Sequence, residues 1–186
     1  MIIRKHPAYL SVEAIVGDRT VLRKLEEGDL QRTLKWLRDP SVNKFLSQDF
    51  SSFTQEQEFQ WFNFMKNSCR DIVFAIETKD EHIHIGNCGL HKINWIQKSC
   101  ELGIVIGEKN FWNKGYGSDA IRSVVSFAFN RLGISRIRLN VYQYNVRAIR
   151  AYEKCGFKKI KTLKNDHLYE GKYWDTFVME LVKPGA

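Results

Sequence analysis

The sequence predicts an α+β domain in which an antiparallel meander passes into a mixed sheet covered by helices. Two observations carry this expectation. Residues 72–78, 83–93 and 101–106 are strand-like and follow one another across junctions as short as Lys79-Asp80-Glu81 and Gln97-Lys98-Ser99. Such connections join antiparallel neighbours, because a parallel crossover needs about a dozen residues or more. Residues 101–142 then read strand, helix, strand, the make-up of a parallel unit, where a ligand crevice is expected. The whole pattern supplies about six or seven strands.

Thr20-Val21-Leu22-Arg23-Lys24-Leu25 alternates apolar and polar residues as a first strand. Asp29 is placed to cap a helix with Leu30, Leu34 and Leu37 on its apolar face, ending before Asp39-Pro40. Thr54 and Gln57 form a capping-box pattern that opens a second helix. Its Phe59, Trp61, Phe62, Phe64 and Met65 are expected in the core or lining an acceptor pocket. A long helix over residues 116–132 carries Ile121, Val124, Val125, Phe127 and Ala128 on one face. A strand at 136–142 and a helix at 145–154, stopped by Gly156, follow. The last strands, 157–163 and 174–181, flank a loop at Asn165-Asp166 and a turn at Glu170-Gly171-Lys172.

With 186 residues and no repeat, low-complexity tract or linker, residues 1–186 read as one domain. Hydrophobic residues at 44% and aromatics at 13% exclude wholesale disorder. No apolar run reaches the ~18 residues of a membrane span. Met1-Ile2-Ile3-Arg4-Lys5-His6-Pro7 lacks the features of a signal peptide, so a cytoplasmic protein without a membrane partner is expected. Cys69, Cys88, Cys100 and Cys155 are scattered and read as unpaired thiols. His82, His84 and His91 lack the convergent set a metal needs, so no metal is expected. The net charge of +8 suits polyanions such as nucleic acid, a ribosome surface or a phosphate-rich co-substrate.

Gly115-Tyr116-Gly117 lies between a strand and the first turn of the long helix. Unpaired N–H groups and the partial positive charge of a helix N-terminus hold phosphate there, and glycine permits close approach. Lys109 and Lys114 add nearby charge. An ordinary strand-to-helix turn also uses glycine. Gly115 through Ala120 also matches a dinucleotide fingerprint, which requires an acidic residue about 20 positions on. Residues 136–144 contain no carboxylate, and the preceding strands form a meander, so that reading fails.

Asn145-Val146-Arg147-Ala148-Ile149-Arg150-Ala151-Tyr152-Glu153-Lys154-Cys155-Gly156-Phe157 resembles the N-x-x-A-x-x-x-Y-x-x-x-G-F segment of the GNAT N-acetyltransferase superfamily. The glycine loop resembles that family's Q/R-x-x-G-x-G/A pyrophosphate motif. Trp112 stands at the usual Gln or Arg position, and Asn113 replaces the usual glycine beside it. Leu22-Arg23-Lys24-Leu25, Asp29-Leu30, Trp36, Asp39-Pro40 and Gly171-Lys172-Tyr173-Trp174-Asp175 are similar to the ribosomal-protein N-terminal acetyltransferase branch, which also includes enzymes like spermidine acetyltransferase.

The resemblance implies direct transfer of acetyl from acetyl-CoA to an amine within a ternary complex, without a metal. It implies pantetheine contacts from Ile104, Val105 and Ile106, and pyrophosphate contacts from Asn113, Lys114, Gly115, Tyr116, Gly117 and Ser118. Asn145 would cap its helix and touch the co-substrate, and Tyr152 would protonate the departing thiolate. Glu101 is the candidate base, with a surface carboxylate as its alternative; Asp119 reads as a helix-dipole residue. The acceptor stays open between a protein N-terminus and a small amine such as spermidine. Glu26, Glu27, Asp49, Glu56 and Glu58 are either an acidic acceptor pocket or solvated helix charges. Ribosome association and a homodimer are compatible partners; a coenzyme A sensor and a basic nucleic-acid module are the non-enzymatic alternatives.

Overall fold

The computed structural model describes residues 6–185. The leading residues 1–5, part of the segment judged unlike a signal peptide, lie outside the described residues. One mixed sheet of eight strands, ordered β1-β2-β3-β4-β5-β6-β8-β7, organises the molecule. The strands are β1 (Ala14–Val16), β2 (Thr20–Lys24), β3 (Ile72–Thr78), β4 (His84–Asn94), β5 (Ser99–Ile106), β6 (Arg136–Tyr142), β7 (Lys158–Tyr169) and β8 (Lys172–Val182). The helices are α1 (Pro7–Leu10), α2 (Leu30–Arg38), α3 (Pro40–Asn43), α4 (Gln55–Asn67), α5 (Tyr116–Asn130) and α6 (Val146–Lys154). All neighbouring strands are antiparallel except β5 and β6, so the predicted parallel unit is where expected.

Side-chain alternation divides the interior in two. Phe74, Ile76, Leu90, Cys100 and Leu102 face α5, whose Ile121, Val124, Phe127 and Ala128 complete the larger core. Val73 and Ala75 point to the opposite face, where Leu34 of α2 and Phe62 of α4 are also buried. The meander thus has helices on both faces, and its far edge is extended by the long β7–β8 hairpin.

Several expectations are corrected. Eight strands exceed the predicted six or seven because β1 is only three half-exposed residues, too short to show alternation. Asp29 does not cap α2 with its side chain. Its carboxylate accepts from the Glu26 N–H and from Arg23, in a bidentate pair at 2.7 and 2.8 Å. The expected loop at Asn165-Asp166 is a register shift inside β7, with Asn165 at φ 52°. Of the predicted α4 apolar residues Phe62 is buried, whereas Phe64 is 64% exposed.

Asp119, one turn into α5, has a larger role than favouring the helix dipole. Its buried carboxylate accepts from the backbone N–H groups of Asp18, Arg19 and Thr20 and from the Thr20 hydroxyl at 2.7 Å. This clamp fixes the β1–β2 turn to the start of α5. Gly17 is required beside it, since a Cβ there would lie 2.4 Å from Asp119 Oδ2.

Candidate active site

β5 is paired with β4 along its length, but with β6 only through Ser99, Cys100 and Glu101. Ile104, Val105 and Ile106 lie beyond the last parallel pair, so a gap opens between the two strands. The Gly107 N–H donates back to Ile85 at 2.9 Å. Strand alternation therefore turns the backbone groups of Ile104 and Ile106 toward the gap and those of Val105 toward β4. Trp112 Nε1 donates to the Ile106 carbonyl at 2.6 Å and pins the following loop to this edge.

That loop turns through two left-handed residues, Asn113 at φ 59° and Gly115 at φ 87°. Asparagine tolerates this region better than most side chains, which accounts for its place where the family motif has glycine. Gly115 is the N-cap of α5, and no side chain caps it. The first N–H groups of a helix have no intrahelical acceptor. Those of Tyr116, Gly117 and Ser118 sit at the mouth of the gap, with Gly117 packed against Ile106. An uncapped helix start beside an open strand edge fits a pyrophosphate with an amide-bearing arm.

The surrounding cations differ from those expected. Lys114 is exposed beside the loop, but Lys109 is paired with Asp39 at 2.7 Å. Arg19 runs alongside Gly115, and the Arg147 guanidinium stacks 3.6 Å from the Trp112 ring. Neither arginine stood out in the sequence, because each is brought to the loop by tertiary packing.

Asn145 caps α6 by accepting from the Ala148 N–H at 3.3 Å, as expected. Tyr152 is buried on α6, edge-on to Phe157, and belongs to the α5-side core. Cys155 Sγ donates to the Ser118 carbonyl at 3.4 Å, which ties α6 to the first turn of α5. Burial pushes the Tyr152 hydroxyl well above the usual phenol range, so it keeps its proton at neutral pH.

On the opposite sheet face α2 forms a roof. Thr33 accepts from Asn87, which bonds His84, which in turn meets Asp29. Trp36 donates to Glu108 and covers Gly107 so closely that a Cβ there would overlap its ring. The chain after α3 reaches β6, where Tyr142 donates to the Leu46 carbonyl and Tyr144 to that of Lys44. Tyr142, Tyr144, His167, Tyr169 and Trp174 form an aromatic wall there. Glu101 lies on this face, half-exposed and bridged to Lys92 at 2.8 Å. Among the described residues no three His, Cys, Asp or Glu side chains converge as a metal site, and no helix is long and apolar enough to cross a membrane.

Glu58 was one of five acidic residues of undecided role. It is 2% exposed on the buried stripe of α4, one turn before Phe62, and its Oε1 lacks any hydrogen bond. Burial pushes its carboxyl up from 4.5 to about 7. A raised folded value means the associated stability is present below pH 4.5 and is lost as pH rises through 7. The stability advantage of Glu58→Gln over wild type should therefore grow by up to about 3 kcal/mol between pH 4.5 and 8. Urea unfolding at both pH values measures this; a difference independent of pH refutes it.

Residues 19–158 match the family described as acetyltransferase (GNAT) domain. The chain belongs to the GNAT acetyltransferase family. It is 30% identical over 169 residues to the uncharacterised N-acetyltransferase YoaA of Bacillus subtilis, covering 90% of this chain and 95% of the relative. It is 26% identical to the spermidine N(1)-acetyltransferase of Vibrio cholerae, with the same 90% and 95% coverage. A spermidine N-acetyltransferase from Vibrio cholerae, solved with CoA and spermine, superposes with a TM-score of 0.82 at 24% identity, covering 88% of this chain and 95% of that one. This GNAT enzyme is thus an acetyl-CoA-dependent N-acetyltransferase.

Proposed function

We propose that this acetyltransferase acetylates a polyamine, a primary amine that carries further positive charge. The observation that carries the reading is Glu58, whose buried Oε1 has no hydrogen-bond partner among the described residues and which lies on α4, on the same side of the sheet as α2. Burial raises this carboxyl to about 7, and a cationic ligand beside it favours its ionised form and offsets the cost of burying that charge. The aromatic wall supplies faces on which further ammonium groups can rest. The similarity to a spermidine N(1)-acetyltransferase points the same way.

The chemistry follows from the two faces of the gap. The thioester lies along the open edge of β5, where the Ile104 N–H polarises its carbonyl. The neutral amine approaches from the α2–α4 face and attacks the carbonyl carbon. Collapse then breaks the C–S bond, and Tyr152, on the other face, protonates the departing thiolate. Glu101 lies on the amine's side, where its negative charge attracts the cationic acceptor and stabilises the positive charge that develops on the attacking nitrogen. Burial pushes the Cys88 and Cys100 thiols up to about 12, which keeps both protonated and weak as nucleophiles.

Thiol release from acetyl-CoA should be compared for spermidine, spermine and a serine-initiated peptide. The reading expects the highest kcat/KM with a polyamine. Turnover of the peptide alone would assign the enzyme to protein N-termini instead.

A further inference from the structure

Gly89 of β4 and Gly103 of β5 are directly paired, two residues along from the pair formed by His91 and Glu101. All four lie on the acceptor face, because Leu90 and Leu102 between them enter the α5-side core. The two glycines leave the sheet surface bare, and the His91 ring folds over it. His91 Nε2 is 2.6 Å from where a Cβ on Gly89 would be, and 3.5 Å from the equivalent point on Gly103. Gly103 is the second residue of β5 past its last pair with β6. The ring therefore sits beside the root of the gap.

The other ring nitrogen is held. His91 Nδ1 lies 3.0 Å from Asp71 Oδ1, and Asp71 also accepts from the Ser68 hydroxyl at 2.7 Å and the Lys92 N–H at 3.3 Å. Burial pushes the Asp71 carboxyl up, but the Ser68 and His91 bonds outweigh it and keep Asp71 ionised. An ionised acceptor at Nδ1 fixes the proton there and leaves a lone pair on Nε2. No hydrogen bond within the described residues engages Nε2.

We propose that His91, oriented by Asp71, accepts the proton released by the attacking amine, with Glu101 stabilising the resulting imidazolium. This rests on the amine-acetyltransferase reading above. As the N–C bond forms and the C–S bond breaks, the nitrogen's surplus proton passes to His91 Nε2. The thiolate takes its proton from Tyr152. Solvent then carries one proton from His91 to the tyrosinate, which restores both residues and leaves N-acetylamine and coenzyme A. Tyr152 lies on the α5 side of the sheet and His91 on the opposite side, so neither must do both jobs.

Among the described residues, the charged groups that pairing and sequence set beside the ring are Asp71 before β3, Lys92 next in sequence, Glu101 opposite, and Arg138 of β6 beside Glu101. The test compares wild type with His91→Gln and Asp71→Asn, using spermidine and the serine-initiated peptide between pH 6 and 9.5. His91→Gln should lose on the order of 10²-fold or more in kcat and the acidic limb of the kcat profile, with acetyl-CoA affinity retained by calorimetry. Asp71→Asn should lose at least about tenfold with a displaced limb, because its amide no longer selects the Nδ1–H tautomer. Imidazole nitrogen NMR of the wild type should find Nδ1 protonated, independently of any acceptor. An unchanged limb in His91→Gln, or an Nε2-protonated ring, overturns the proposal and leaves the acetyltransferase reading intact. Wild type inert toward both acceptors overturns the two together.

Discussion

Replacing Tyr152 with phenylalanine should reduce kcat on the order of 10²-fold, while leaving acetyl-CoA affinity and the fold intact. The ring contributes to packing against Phe157, and the phenylalanine ring preserves that contact. In its proposed role, what the substitution removes is one proton at the point where negative charge develops on sulfur. Because burial raises the hydroxyl above its ordinary range, Tyr152 is protonated across the working pH range. The defect should therefore be in kcat at every neutral and mildly alkaline pH. Stopped-flow detection of free thiol, alongside calorimetry with acetyl-CoA, separates chemistry from binding. A thiol-release rate equal to wild type would remove Tyr152 from the mechanism.

Asp119→Asn should be the most destabilising of the conservative changes, costing about 2–4 kcal/mol. Three backbone N–H groups and a hydroxyl converge on the carboxylate, so one amide NH₂ must face donors in the variant. For a chain of this length the melting temperature should fall by about 4–16 °C. Burial opposes ionisation of Asp119, but the bonds from Arg19, Thr20 and Asp18 prevail and hold its carboxyl below the ordinary 3.8. A depressed folded value contributes stability that is present above pH 3.8 and is lost as pH falls through the folded value. Wild type should accordingly lose its advantage over the asparagine variant only in strong acid, as acid titration followed by circular dichroism would reveal. A melting temperature equal to wild type at pH 7 would contradict the clamp.

What could be read from the sequence was whatever depends on neighbours in sequence. Thr54 and Gln57, three apart, do form the capping box, and Asn145 caps α6 within one turn. The antiparallel meander follows from its short junctions, and the glycine loop from its place before a long apolar-faced helix. Long-range partnerships stayed hidden. Asp119 resembles any acidic residue in a first helical turn until residues about a hundred positions away close on it. His91 and Asp71 are separated by 20 positions, and β1 is too short to alternate. Glu58 occupies a first-turn position where a solvated charge is expected, and only the packing of α4 reveals that it is buried. Trp112 was a departure from the family motif; its indole proves to be the tie between the loop and Ile106.

The early parting of β5 from β6 gives this sheet a raw edge in its middle instead of at its margin. An edge strand at a margin recruits other chains; here the slot admits only something about one strand wide. A pantetheine arm, with its own amides in line, is such an object, and in the proposed binding mode it would stand in the slot for a ninth strand. On that proposal the sheet would be whole only while it holds its donor, and each release of coenzyme A would remove a strand. The side chains of Ile104 and Ile106 pack against the core while their main-chain groups face the slot, so recognition of the donor and folding of the protein would share one strand without competing for it.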